Sequence, residues 1–245
     1  MWRCATGHAD ASRSGLGGCR GVALVATLVV LLVLSAMGLG LVLTTSLEPA
    51  AAANYECALR ARYGAEAGAA MVAHDLIAAD DWNAALTGRW QPAHLQTVPG
   101  EISAPDGTRP SVAALTNLAS CGHEAACGGA EMDAFTSDRP WGPNNPRWQP
   151  VGVLRFDTLE AGPPGMPGMV VLVWVGDDPA DLDGDPLRDT PAAADGTRVP
   201  GACVVAVRAE AFSARAAHRT VTLTLTRGSP QCGAGGRVVS WRVTP

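Results

Sequence analysis

Between positions 177 and 189 the chain reads Asp177-Asp178-Pro179-Ala180-Asp181-Leu182-Asp183-Gly184-Asp185-Pro186-Leu187-Arg188-Asp189, six aspartates against one arginine. Carboxylates at every second residue turn several oxygens inward when the backbone winds around a hard cation, and Gly184 eases the turn, which is the logic of a calcium-binding loop. Asp177, Asp181, Asp183, Asp185 and Asp189 are the candidate ligands, and calcium is the only cofactor the chain suggests. An EF-hand loop would place Gly after its third Asp and a Glu at its end, between flanking helices. None of these is expected here, so an Asp-rich turn that is simply solvated stays open as the second reading.

The cysteines are the other chemistry-bearing set, seven in all. Cys121-Gly122-His123-Glu124-Ala125-Ala126-Cys127 places two thiols across a short loop. A disulfide is favoured over a metal site, because only His123 and Glu124 lie between them and no second cysteine pair stands at zinc spacing. Cys203 and Cys232 lie on or beside neighbouring strand-like runs and make a second plausible bridge. Catalysis finds no foothold: there is no G-x-S-x-G, no H-E-x-x-H and no Walker loop, and the five histidines are scattered. The expectation is a protein that is not an enzyme. A net charge of -5 with no Lys/Arg cluster in the chain's later part leaves no electrostatic footprint for nucleic acid.

These groups are positioned by an N-terminal apolar segment and a head that follows it. From Gly21 to Leu43 the chain is uncharged and strongly apolar, long enough as a helix to span a bilayer core. A cleaved signal peptide would have an apolar core of about 7–15 residues, shorter than this one. An uncleaved signal anchor is the simpler alternative. Arg3, Arg13 and Arg20 precede the run with only Asp10 opposing them, and the first charge after it is Glu48. The positive-inside tendency therefore puts the N-terminus in the cytoplasm and exports the head. Cys57, Cys121, Cys127, Cys203 and Cys232 then share the compartment that permits disulfides; with five of them, at least one stays free or pairs between chains.

The helical pattern continues from Tyr55 to Leu86. Tyr55, Leu59, Tyr63, Ala67, Ala70, His74 and Ile77 recur at helical spacing, and this face is expected to lie on the head, with His74 partly buried. Gly38, Gly40 and Pro49 weaken or kink the helix at their level. From Gly88 to Gly168 Gly, Pro, Asn and Asp are frequent, so loops dominate, with Trp82, Trp90, Trp141 and Trp148 expected to plug a small core. Val151–Thr158, Met169–Val175, Ala202–Arg208, Thr220–Thr226 and Arg237–Val243 read as five strands of a meandering antiparallel sheet. A long helix laid on one face of such a sheet buries both apolar surfaces in two layers, an α+β fold.

Arg20-Gly21-Val22-Ala23-Leu24-Val25 resembles the processing site of type IV prepilins, and with Ala65-Glu66-Ala67-Gly68 the stretch from Gly21 to about Leu76 is similar to the N-terminal region of the PilX family of minor pilins. The resemblance implies a pilin-like fold and cleavage after Gly21 by a membrane prepilin peptidase, with methylation of the new amino terminus on Val22. It implies partners among other pilins or pseudopilins, besides the peptidase and membrane lipid, and a single-pass place in the inner membrane with the head exported, at a pilus tip or the cell surface. Gly at the cut leaves an extended backbone unobstructed. Major pilins carry Glu as the fifth mature residue, where Ala26 stands here; this lowers the case for a major pilin and leaves that for a minor pilin intact. A type II secretion minor pseudopilin of the GspK kind lacks that Glu too and is the rival reading. The expected organisation is leader 1–21, transmembrane helix 22–47, amphipathic helix 48–87, loop-rich region 88–168 and β-rich region 169–245.

Overall fold

The computed structural model describes residues 19–156, 168–181, 183–190, 196–197, 199–228 and 236–244. The chain divides into two units, Met1–Ala52 and Ala53–Pro245. One helix, α1 (Cys19–Ala78), contributes to both and runs through Pro49. In the first unit every side chain from Gly21 to Ala52 is exposed. This stretch is long and apolar enough to cross a membrane. A helix apolar on all sides needs an apolar surrounding, and no described residue of its own unit supplies one.

The second unit is an α+β head, in which the C-terminal part of α1 packs on a five-stranded antiparallel sheet. The strands are β1 (Gln149–Arg155), β2 (Val170–Asp177), β3 (Val204–Phe212), β4 (His218–Thr226) and β5 (Arg237–Thr244), in the order β1-β2-β3-β4-β5. All five expected strands are present as a simple meander. Register follows the alternation: Val171, Val173 and Val175 of β2, Val205 and Val207 of β3, and Val221, Leu223 and Leu225 of β4 share a core with Ala61, Ala65, Ala69, Val72 and Leu76 of α1. Successive side chains on a strand point to opposite faces, so these are the residues turned toward the helix.

The helix face differs from the expected one. The buried stripe is Cys57, Ala61, Ala65, Ala69, Val72, Ala73 and Leu76, whereas Tyr55 and Tyr63 are 67% and 62% exposed and Ile77 is 42% exposed. The His74 side chain is 83% exposed, not partly buried. Small residues win the inner face because they let the helix axis come close to the sheet and fill the interface at interior density; the larger apolar residues are left on the outer face.

The helix also ends earlier than the pattern to Leu86 implied. After Ala78 the chain turns, and Asp81 caps a separate short helix, α2 (Trp82–Leu86), by accepting from Asn83 N at 2.9 Å. An Asx cap competes with continued helix and starts a new one. Trp82 is buried there and donates from Nε1 to the Leu76 carbonyl at 2.7 Å. Of the other early tryptophans, Trp90 and Trp148 are half-buried and Trp141 is 43% exposed.

A third layer was not expected. The region taken as loops contains α3 (Val112–Cys121) and α4 (Gly129–Met132). Ile102 and Val112 pack with Val170, Leu172 and Trp174 on the sheet face opposite α1. The Trp174 indole donates to Thr116 Oγ1 at 2.9 Å. All eight residues of β2 are therefore buried, which accounts for its unbroken run Val-Val-Leu-Val-Trp-Val; a strand covered on both faces loses its polar alternation. At the far edge β5 is exposed along its whole length.

Candidate functional site

The Asp-rich segment begins where β2 ends. Pro179 and Pro186 interrupt regular pairing, and the aspartates wind the chain by accepting from amides two residues on: Asp183 N donates to Asp181 Oδ1 at 3.0 Å, Asp185 N to Asp183 Oδ1 at 2.8 Å and Leu187 N to Asp185 Oδ1 at 3.1 Å. Such turns are the local habit of Asp in non-helical chain. Gly184 takes φ +79°, the left-handed conformation that the turn requires. Two distant amides hold the loop in place: Asn144 Nδ2 donates to the Asp181 carbonyl at 2.8 Å, and Asp189 N donates to Asn83 Oδ1 at 2.7 Å.

Three of the five candidate ligands converge. Carboxylate oxygens of Asp177, Asp181 and Asp183 all lie within 4.8 Å of one another. Asp177 and Asp181 are buried, and Asp181 Oδ2 and Asp183 Oδ2 are buried with no hydrogen-bond donor in reach. Asp185 and Asp189 do not belong to the group of three whose oxygens lie so close. Asp185 spends an oxygen on the Leu187 amide, and Asp189 Oδ1 accepts from Cys203 N at 2.6 Å.

Electrostatics follow from that crowding. Burial first, and the neighbouring Asp181 charge second, push the Asp177 carboxyl up to about 9. Burial, with the Asp183 and Asp189 charges adding to it, raises Asp181 to about 6 against the hydrogen bond from Asp183 N. Asp178 and Asp189 are also raised by burial; for Asp189 the Cys203 amide and the Arg227 cation oppose the rise.

The expected Cys121–Cys127 bridge is formed, with the Cα atoms 6.2 Å apart. Cys121 is the last residue of α3, and Gly122 turns the chain out of the helix. Asn117 Nδ2 donates to the Glu124 carbonyl at 3.1 Å, closing the same loop from within. His123 stands beside the sulfurs and 3.5 Å from Glu131 Oε1. Both sulfurs are used in the bridge, so this trio is a structural clasp. No family model, curated protein or solved structure matches this chain.

Cys203 is buried at the mouth of β3 in a left-handed conformation, φ 71°, and is disulfide-bonded. Its expected partner, Cys232, lies outside the described residues. Cys57 is free and buried on the inner face of α1. Gly21 and Val22 lie within the first turn of α1, whereas an extended backbone was expected there. Nothing in the apolar sequence stops the helix at that point, but its first amides have no intrahelical acceptor, so the turn opens at little cost. Residues 1–18 of the expected leader lie outside the described residues.

Sequence reasoning missed Asn83 and Asn144. They stand 106 and 37 residues from the groups they hold, and no local pattern announces a tether of that range.

Proposed function

We propose that this chain is a minor pilin-like subunit, made as a precursor, cut by prepilin peptidase between Gly21 and Val22, and taken into a type IV pilus or its initiating complex. The observation that carries the reading is the division of labour along α1. Its first part is apolar and exposed all round, and its last part buries one face on the sheet and leaves Tyr55 and Tyr63 exposed off it. Exposed aromatic residues on such a helix suit a subunit surrounded by the helices of its neighbours. The order Arg20-Gly21-Val22 ahead of that helix supports processing, and Ala26 in place of Glu fits a subunit at the tip, which has no neighbour above it. The reading is non-enzymatic, and the head is exported from the inner membrane.

The test is the sheared surface-filament fraction of cells expressing an epitope-tagged chain. The tagged chain is expected there, and Gly21→Asp should keep it with the membranes. Wild-type chain confined to membranes, with loss of protein secretion and not of filaments on gene deletion, would favour the type II secretion pseudopilin. Confinement with neither phenotype would leave a signal-anchored exported domain.

A further inference from the structure

We propose that Asp177, Asp181 and Asp183 form a binding site for one calcium ion at the end of β2. Asp177 is the last residue of that strand, and the chain then returns so that Asp181 and Asp183 face it, with carboxylate oxygens of all three within 4.8 Å. Asp181 is only 2% exposed, yet its Oδ2 has no donor, and Asp183 Oδ2 is buried and equally unserved. Buried polar atoms in native proteins are overwhelmingly partnered, so two orphaned carboxylate oxygens turned into one acidic cluster require a positive partner.

Among the described residues no cation pairs with them. Arg188 of the same loop is exposed, and Arg227 bears on Asp189. The other Asp oxygens are committed: Asp177 Oδ1 to Asp178 N, Asp181 Oδ1 to Asp183 N and Asp183 Oδ1 to Asp185 N. One oxygen of each orienting pair is thus fixed by backbone while the other is left for a ligand. Calcium suits the set because it accepts carboxylates in irregular geometry at six to eight positions, whereas magnesium demands a near-ideal octahedron.

The experiment uses the full chain in detergent micelles, chelated and then titrated with calcium chloride, read by thermal melting and by equilibrium dialysis of radioactive calcium. One bound ion per chain and a melting point that rises with calcium up to about the millimolar range are expected. Asp181→Asn and Asp177→Asn should each weaken binding about tenfold or more. Both should leave the calcium-free melting point unchanged or higher, since each removes a carboxyl that burial beside other carboxylates disfavours. Asp185→Asn, outside the cluster, should bind as wild type. No bound calcium, binding undiminished in both cluster variants, or a shift reproduced in full by magnesium or by sodium chloride of equal ionic strength would overturn the site.

Discussion

A methyl group added to Gly68 would stand 2.8 Å from Val171 Cγ1 and 3.3 Å from Val173 Cγ2, so α1 rides on β2 at a separation that only hydrogen at this position allows. Gly68 closes the Ala65-Glu66-Ala67-Gly68 motif, and the structure gives that motif a packing reason. The neighbours are branched, buried valines that cannot swing aside.

Gly68→Leu is therefore expected to destabilise the head. Leu gains about 1 kcal/mol of helix propensity over Gly, but overpacking a closed interface costs about 1–3 kcal/mol, so the clash wins and chemical denaturation should show a net loss. Gly38→Ala, with nothing within 4 Å of the added carbon, should leave the head's unfolding unchanged. Equal behaviour of the two variants would contradict the packing account.

Reducing the Cys121–Cys127 bridge, or replacing both residues by Ser, should cost about 2 kcal/mol, the chain-entropy value for so short a loop. Peptide mapping without reduction should recover the 121–127 pair and a second linked peptide joining Cys203 to Cys232, with Cys57 as the unpaired thiol of the head. Recovery of Cys203 linked elsewhere would correct the pairing.

Asp189→Ala should destabilise by about 1–3 kcal/mol, because it leaves the buried Cys203 amide without its acceptor. Asp189→Asn, which keeps an oxygen there, should cost less. Similar losses in the two would show that charge, not the hydrogen bond, holds the start of β3.

Without divalent cations, stability should fall as pH rises from about 4, the usual aspartate range, toward 9. The folded Asp177 and Asp181 carboxyls are raised to about 9 and about 6, so over this window the folded chain holds protons that the unfolded chain releases, and linkage makes stability decline with pH. Asp178, Asp183 and Asp189 face the same space, and Arg227 acts on Asp189. Melting in chelator at pH 5 and pH 9 checks this, and Asp177→Asn should flatten the curve. A wild-type melting point independent of pH would contradict the crowding.

The sheet was legible because its strands carry their signal locally: Val221-Thr222-Leu223-Thr224-Leu225 alternates as β4 does in the fold, and each expected strand lies within a few residues of the observed one. The helix was legible as a helix but not in its orientation. Periodicity picked out the stripe with the large residues, whereas the contact with β2 is decided by Gly64, Ala65, Gly68 and Ala69, whose smallness matters only once a sheet is opposite them. The layer of Ile102 and Val112 was hidden because its apolar residues are few and set among prolines and glycines. At the Asp-rich loop the spacing identified the carboxylates as a group; which three meet depends on how the loop is held at the end of β2, and its tethers to Asn83 and Asn144 are tertiary.

Intact-mass and N-terminal peptide mass spectrometry of the chain purified from a host with prepilin peptidase tests the central claim most directly. The account predicts a mature chain that begins at Val22 with a methylated amino group, and full-length chain when the peptidase is absent. A mature chain beginning near Asn54, or residues 1–21 retained in the presence of the peptidase, would contradict it.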